Sequence, residues 1–309
     1  MTWEAVARKD FEDAVRSRWL WGLSAFFFAF IGGTTAVFFG WVVSGSKGQA
    51  TSDSLFGLFA SGFLSFSYTG FLGFALAFIA LLTAYGSIID ERESGTVKLL
   101  LSLPHSRRDV IAGKLAGRSA VVVLPVLGGF FVALIVLFAT GTAVVFEHLG
   151  PHVLLTVLLA LIFVSIGVGI SAAVDTGRKA TLWALGLYFL FALLWSTVAQ
   201  GLPRLATEIG KRAPLLDPLS GAATIKSRLL IKYLNPLRAY ETLVASVYFG
   251  DPTQARLVKA GVFEQMAAQQ ALQGGLPFYL QDWFIYLVLA FWLVVPPVVG
   301  YMVFRETEL

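Results

Sequence analysis

The sequence predicts an all-α integral membrane protein with six transmembrane helices, and three observations support this fold class. Only 14% of the 309 residues are charged and 57% are hydrophobic, whereas about 25% of the residues in a soluble chain are charged. Tryptophans stand at both ends of the first apolar stretch (Trp19, Trp21 and Trp41), as interfacial anchors do. Six stretches lack Asp, Glu, Lys and Arg, and each exceeds the ~20 residues that cross a bilayer: residues 19–46, 54–89, 119–146, 148–174, 180–203 and 283–304.

The second stretch is too long for one straight span. We place its membrane helix at about residues 65–89 and interpret 51–64, with Gly57 and Gly62, as an outer loop or a half-inserted helix. Residues 1–18 predict an amphipathic helix on the inner surface, although they can also simply extend the first span. Its predicted apolar face comprises Trp3, Val6, Ala7, Phe11, Ala14 and Val15.

A composition shift at residues 201–282 predicts a small helical cap outside the membrane. Pro203, Pro214, Pro218 and Pro236 separate its short segments. Residues 237–249 and 254–272 have helical periodicity, and Gly250-Asp251-Pro252 predicts a turn between them. The chain is therefore expected to divide into a first membrane part, 1–200, with the inner-surface helix and five spans, the extracytoplasmic helical segment, 201–282, and a sixth span with a cytoplasmic tail, 283–309.

Positive charge predicts the orientation. With a cytoplasmic N-terminus, thirteen Lys and Arg residues near span ends lie inside, and the short outer loops hold only Lys47. The sequence pI near 9.3 reflects this flanking charge, so it does not indicate nucleic-acid binding. We therefore expect a multi-pass protein of the cytoplasmic membrane with both termini in the cytoplasm.

Enzyme chemistry has little support in the sequence. There is no phosphate-binding G-x-x-x-x-G-K-[ST] loop, no H-E-x-x-H zinc helix and no G-x-S-x-G nucleophile turn. His148 and His152 are four residues apart, but Gly150-Pro151 is expected to interrupt a helix there, so we predict no metal site. The spans also lack the ionisable residues that proton- and cation-coupled pumps use. Energy for transport is thus expected from a soluble contact.

Small residues in the first span predict a close helix contact, because short side chains let two backbones approach. The partner is either another span of this chain or a second subunit. Two stripes at four-residue spacing are formed by Ala25, Ala29 and Gly33 and by Gly32, Ala36 and Gly40.

A dense run of charge, residues 91–114, follows the second span and is expected to meet a soluble partner. It contains a short predicted helix after Gly95 that Pro104 ends, and Ser106 is expected to cap the next helix with Asp109 three residues later. Leucines among these charges would be poorly placed in open water, although a plain charged connection is the alternative. The residues assigned to a contact are Glu91, Arg92, Glu93, Gly95, Thr96, Lys98, Leu99, Leu100, Leu103 and Pro104.

The run E-R-E-S-G-T-V-K-L-L-L-S-L-P-H-S-R-R-D-V-I-A-G-K resembles the signature of ABC-transporter permeases of the export-type (ABC-2-type) class. Residues 6–19 are similar to the inner-surface helix of that family. L-N-P-L-R-A-Y at 234–240 resembles the subgroup that includes the permease for nitrous-oxide-reductase copper-site maturation. The chain has no Cys and only three Met, soft ligands that a copper route would favour, so the sequence leaves the cargo open.

The resemblance implies a permease subunit that is not itself an enzyme and that moves cargo with ATP hydrolysed elsewhere. Its partners would be a cytoplasmic ABC ATPase subunit, which holds ATP and Mg, and a second permease copy or paralogue in a dimer. The coupling helix of the family maps onto residues 91–103. A stand-alone channel or carrier and an intramembrane enzyme are the alternatives; the lipid bilayer is a contact in every case, and nucleic acid in none.

Overall fold

A computed structural model of the chain describes residues 3–16, 18–42, 50–55, 67–94, 106–212, 220–261 and 264–306. Within these ranges the structure is helical, with one isolated bridge between Thr51 and Ala143. Six helices are long and apolar enough to cross a membrane, which confirms the predicted all-helical class with six candidate spans. Spans 1 to 6 are Leu20–Trp41, Tyr68–Glu93, Arg107–Ala139, Phe146–Ala173, Gly177–Arg212 and Asp282–Glu306.

Shorter helices lie outside these spans. Helix α1, Trp3–Arg16, precedes span 1. Four more lie between spans 5 and 6 in chain order: α2, Gly221–Tyr233; α3, Pro236–Phe249; α4, Pro252–Ala260; and α5, Gln265–Leu272. The predicted loop or half-inserted helix at 51–64 falls mostly outside the described residues, except that 52–55 form one helical turn.

The chain forms two compact units. The first comprises residues 1–55, 75–187 and 291–309, and the second comprises 56–74 and 188–290. In the first unit, the spans approach closely where glycines remove the side chain. A Cβ on Gly167 of span 4 would lie 2.6 Å from Ala84 of span 2, and one on Gly169 would lie 2.5 Å from the Pro296 carbonyl of span 6. Backbone-to-backbone contact at these points needs glycine.

In the second unit, side-chain caps explain where the helices begin. The Asn235 side chain accepts from the Leu237 amide at 2.8 Å, with Pro236 as the first residue of α3. Its amide group also donates to the Phe191 carbonyl at 2.7 Å. Gly250 ends α3 with φ 64°, and Asp251 caps α4 through the Thr253 amide at 2.8 Å. The predicted Gly250-Asp251-Pro252 turn is confirmed, because only a residue without Cβ adopts that φ readily.

Three expectations from prolines and periodicity are wrong. The stretch 254–272 is not one helix, because Gly261, with φ 109°, ends α4 before α5 begins. Pro203 does not separate segments, since span 5 continues through it to Arg212. Gly150-Pro151 lies within the first turns of span 4, which therefore holds both His148 and His152 in one helix. Proline is tolerated near a helix start, where few amides have intrahelical partners.

Neither histidine belongs to a metal cluster among the described residues. His148 lies 2.6 Å from Asp53, and the adjacent Ser52 hydroxyl accepts from the Val145 amide at 3.0 Å. His152 is fully buried with its ring against Phe130. The first histidine thus ties residues 50–55 to the start of span 4, and the second packs inside the first unit.

Candidate functional site: the flanks of the coupling segment

The predicted coupling segment is described only at its edges. Gly95, Thr96, Lys98, Leu99, Leu100, Leu103 and Pro104 all lie outside the described residues. Glu91, Arg92 and Glu93 form the last turn of span 2, and Ser106 caps the start of span 3 on the other side. The structure therefore shows how the two flanks, the residues before and after 95–105, are held in place.

The flank at the end of span 2 is fixed to the turn between spans 4 and 5. The Ser171 hydroxyl accepts from the amides of Ile88 and Ile89 at 2.9 and 3.1 Å. Arg92 donates to the Val174 carbonyl at 2.9 Å, and Glu93 accepts from the Gly177 amide at 2.7 Å, at the start of span 5. The carboxylate of Glu93 at a helix N-terminus is stabilised by the free amides there.

A cluster of four buried or half-buried charges joins the same flank to α1 and span 3. The Lys114 ammonium, on a residue only 4% exposed, donates to Glu91 at 2.7 Å and to Asp10 at 2.8 Å. Arg118, one turn further along span 3, pairs with the other Asp10 oxygen at 2.9 Å. We call Asp10, Glu91, Lys114 and Arg118 the flank cluster. Each of these four charges has an opposite charge within 2.9 Å, as buried charges require.

Glycines allow α1 to reach this cluster. A Cβ on Gly113 would lie 2.5 Å from the Val6 side chain, and one on Gly117 would lie 2.9 Å from Asp10. The face of α1 that packs is therefore centred on Val6 and Asp10. The predicted apolar face is thus divided: Val6 packs on span 3, whereas Trp3 and Val15 are exposed in the single chain.

The opposite flank is held by the end of span 6. The predicted cap at Ser106 is confirmed as a capping box: its hydroxyl accepts from the Asp109 amide at 3.2 Å, and Asp109 accepts from the Ser106 amide at 3.0 Å. Arg107 donates to the carbonyls of Phe304 and Arg305. Arg108 donates to the Tyr301 hydroxyl at 2.9 Å. The beginning of span 3 is thus tied to the last turns of span 6.

Phe304 connects the two flanks. Its ring is fully buried, with the Arg92 guanidinium 5.8 Å from its centroid and that of Arg107 at 5.3 Å. These distances are within cation–π range. Arg92 precedes residues 95–105 and Arg107 follows them. A single aromatic residue of span 6 therefore contacts both flanks.

The electrostatics of the adjoining turn are those of an exposed loop. Asp175, between spans 4 and 5, hydrogen-bonds Lys179 at 2.8 Å, and this bond with the attraction of the same ammonium lowers the pKa of Asp175. Both side chains are more than half exposed, so solvent screens their pairing.

The small-residue stripes of span 1 divide between packed and open positions. A Cβ on Gly32 would lie 2.4 Å from Val132 of span 3, so this glycine is at an intrachain helix contact. Gly33 and Gly40 have nothing near their missing side chains. Ala25, Ala29 and Ala36 are exposed in the single chain.

Sequence reasoning missed Asp10, Lys114, Arg118, Ser171 and Phe304. Lys114 and Arg118 enter the sequence analysis only as basic residues near span ends, and Asp10 is assigned no role there. The signal available was a lysine between Gly113 and Gly117, since glycines allow close helix packing and a charge buried there needs a partner.

Comparison with known proteins identifies the family to which these flanks belong. Residues 4–309 match the family described as ABC-2 family transporter protein.

The chain belongs to this family.

It is 29% identical over 305 residues to a probable ABC transporter permease protein NosY of Stutzerimonas stutzeri, with 97% of each chain covered. It is 30% identical over 217 residues to a NosY protein of Pseudomonas aeruginosa, covering 69% of this chain and 74% of that one.

Family membership decides between the alternatives left open by the sequence. The chain is a multi-pass membrane protein and the permease subunit of an ABC-2-type transporter. A permease subunit is not the catalytic one, and ABC permeases generally work with ATPase subunits. The stand-alone channel and the intramembrane enzyme are therefore set aside.

Proposed function

We propose that residues 91–103 form the helix through which this permease subunit couples to a separate cytoplasmic ATPase subunit, which binds ATP and Mg. The observation that supports this is the anchoring of both flanks to the same ring, Phe304. Fixed ends restrict the reach of the intervening chain. A displacement imposed on that chain by a partner is then passed to span 6 and, through the flank cluster, to α1.

The proposal gives the residues of the segment distinct roles. Leu99, Leu100 and Leu103 fill a groove on the ATPase, because buried apolar anchors supply most of the affinity of an interface. Lys98 orients the contact by charge. Gly95 and Thr96 lead into the helix and Pro104 ends it. Glu91, Arg92 and Glu93 instead hold the flank, consistent with the bonds they make to spans 3, 4 and 5.

The direct test is to change an anchor leucine. Leu100→Asp is expected to abolish co-purification of the ATPase and cargo transport at equal membrane abundance. Ser102→Asp is the matched control, because it adds the same charge at a polar position of the same segment and is expected to retain binding. If the Leu100→Asp subunit bound the ATPase normally, the segment would be only a charged connection and the proposal would be wrong.

The proposal also includes an orientation in the cytoplasmic membrane. Both termini and residues 91–114 lie in the cytoplasm, and residues 201–282 form the extracytoplasmic helical segment between the first membrane part, 1–200, and the last, 283–309. Because the chain contains no cysteine, single cysteines report position without background. Ser46→Cys and Gly274→Cys should react with an impermeant thiol reagent in intact cells, and Ser94→Cys should not. Labelling at position 94 would refute this orientation.

A second permease copy or a paralogue completes the transporter in this proposal. The exposed small-residue face of span 1, with Ala25, Ala29, Ala36 and Gly40 beside the half-buried Gly33, supports a close contact with another helix. Gly32 already contacts span 3 within the chain. Ala29→Cys is expected to give a disulfide-linked dimer under mild oxidation, whereas Leu182→Cys, also exposed and on span 5, is the control for random collision.

A further inference from the structure

Span 2 contains a break in its helix just before the flank of the coupling segment. Its membrane helix, Tyr68–Ala84, ends in a turn at residues 85–88, and a separate short helix, Ile89–Glu93, follows. The flank residues 91–93 all lie in this second piece. The flank is therefore joined to the membrane part of span 2 only through the turn.

The amides of the break have partners outside the regular pattern of an α-helix. The Ser87 amide donates to the Ala84 carbonyl, three residues back, at 3.1 Å. The amides of Ile88 and Ile89 share one acceptor on another helix, the Ser171 hydroxyl of span 4, at 2.9 and 3.1 Å. In a regular helix both would donate to carbonyls four residues back. One side chain thus replaces two main-chain acceptors.

Span 4 fits closely against this break. A Cβ on Gly167 would lie 2.6 Å from the Ala84 side chain and 3.2 Å from the Tyr85 nitrogen, so the two backbones meet there. Ser171, one turn further along span 4, is fully buried. Water cannot take its place as the acceptor, and buried amides need a partner. The broken form of span 2 therefore depends on this hydroxyl.

A regular helix through the same residues would satisfy a group that the broken form does not. The Ser87 hydroxyl is buried and has no hydrogen-bond partner in the part of the chain that the structure describes, which is unfavourable. In a regular helix, a serine hydroxyl can bond to the carbonyl four residues back, as Thr83 bonds to Ile79 at 2.7 Å. The two forms thus have different, competing sets of hydrogen bonds.

We propose that residues 85–88 are a hinge in span 2 and that Ser171 is the positioning residue that holds this hinge in its broken form. In the alternative form, the two amides bond to carbonyls of span 2 itself, and the short helix that follows changes direction. The role of the hinge in transport rests on the proposed function, because a load placed on residues 95–105 by the ATPase would reach the hinge through the flank. Two discrete arrangements of one element convert such a load into a defined movement.

The distance between two spin labels on the full-length permease in nanodiscs tests the hinge. Because the chain has no cysteine, Ser94→Cys, directly after the short helix, and Glu147→Cys, at the opposite end of span 4, can be labelled without background. Ser171→Ala is expected to shift this distance by about 3–5 Å, since the short helix is about 8 Å long and turns with the hinge. Ser165→Ala, which also removes a buried serine hydroxyl from span 4, is the matched control and should keep the wild-type distance.

A second variant reaches the hinge from span 2. A methyl group on Gly86 would lie 2.4 Å from the Asp90 carboxylate in the broken form, and alanine favours a regular helix over glycine. Gly86→Ala should therefore shift the distance in the same direction as Ser171→Ala.

Amide exchange distinguishes a hinge from a simple loss of packing. In Ser171→Ala, the amides of Ile88 and Ile89 should stay protected, because carbonyls of span 2 replace the lost hydroxyl. If the serine had only a structural role, both amides would lose their partner and exchange faster without a change in the label distance. That result would overturn the hinge.

The hinge would also be overturned by an unchanged distance in both Ser171→Ala and Gly86→Ala, or by an equal shift in Ser165→Ala. These measurements use the permease without the ATPase, so they are separate from the docking test at Leu100. Loss of docking in Leu100→Asp together with an unchanged distance in Ser171→Ala would support the proposed function and reject the hinge. Normal docking in Leu100→Asp with a shifted distance in Ser171→Ala would reject the proposed function and leave the hinge as a property of the permease alone.

Discussion

The flank cluster of the first unit and the Arg256–Asp282 pair of the second unit both hold buried charge, but they differ in the number of opposite charges that meet. In the flank cluster, two carboxylates meet two cations, and Lys114 has both Asp10 and Glu91 within 2.8 Å. Around Arg256, one cation meets one carboxylate, Asp282, and the neutral oxygens of Ser246 and Leu280. Removing the shared cation of the flank cluster therefore leaves more unpaired charge than removing the cation of the Arg256 pair.

The largest effect is expected from unbalancing the flank cluster. Lys114→Met would leave two buried or half-buried carboxylates without their shared cation, and breaking a buried pair in this way costs about 3–5 kcal/mol. We expect a lower melting midpoint in detergent and loss of ATPase co-purification. Lys179→Met is the matched control, because solvent screens the exposed Lys179–Asp175 pair and its loss should change the midpoint little. Equal midpoints for the two variants would show that the flank cluster is no stronger than a surface pair.

A somewhat smaller effect is expected at Arg256, the balanced pair of the second unit. This side chain is fully buried and donates to Asp282 at 2.5 Å, to Ser246 at 2.8 Å and to the Leu280 carbonyl at 3.0 Å. Arg256→Met would leave Asp282 unpaired, but that carboxylate is one-third exposed, so the cost is about 3 kcal/mol, at the low end of the range.

Amide exchange of α4 checks this prediction. Protection of residues 252–260 should fall in Arg256→Met, whereas α1 of the first unit should exchange as in the wild type. Unchanged protection of α4 would mean that packing, rather than the ion pair, holds this helix in place.

A third, smaller effect on stability is expected where the backbones of two helices approach closely. Its control variant should change stability in the opposite direction. Gly113→Ala would place a methyl group 2.5 Å from Val6, and such overpacking costs about 1–3 kcal/mol. Gly186→Ala has open space around it and should stabilise its helix by about 0.5–1 kcal/mol. Chemical denaturation in mixed micelles measures both. Stabilisation by Gly113→Ala would contradict the docking of α1 on span 3.

The elements of this fold were predictable from sequence where the signal is local. Charge-free stretches place six candidate spans, and the Ser106 capping box follows from two residues three apart. Contacts between residues that are far apart in the chain leave no local pattern in the sequence. Asp10 and Lys114 are 104 residues apart, and nothing in the charge pattern of α1 distinguishes a buried carboxylate from a solvated one. Gly113 and Gly117 look the same in sequence as glycines that face open space.

The smallest predicted effect is a pH dependence of stability that arises at Lys232 of the second unit. Because the folded pKa of Lys232 is about 8 and its ordinary value is 10.5, the unfolded chain binds more protons between these values. The free energy of unfolding should therefore rise with pH from about 8 to 10.5, in contrast to a lysine whose folded pKa is raised. Lys259 contributes in the same direction.

The measurement compares how the free energy of unfolding rises with pH in the wild type and in Lys232→Met. The variant should lose part of the slope above pH 8, whereas Lys226→Met, on the same helix, retains Lys232 and should keep it. A slope that is the same in Lys232→Met and the wild type would mean that Lys232 is as well solvated as the lysines of the surface.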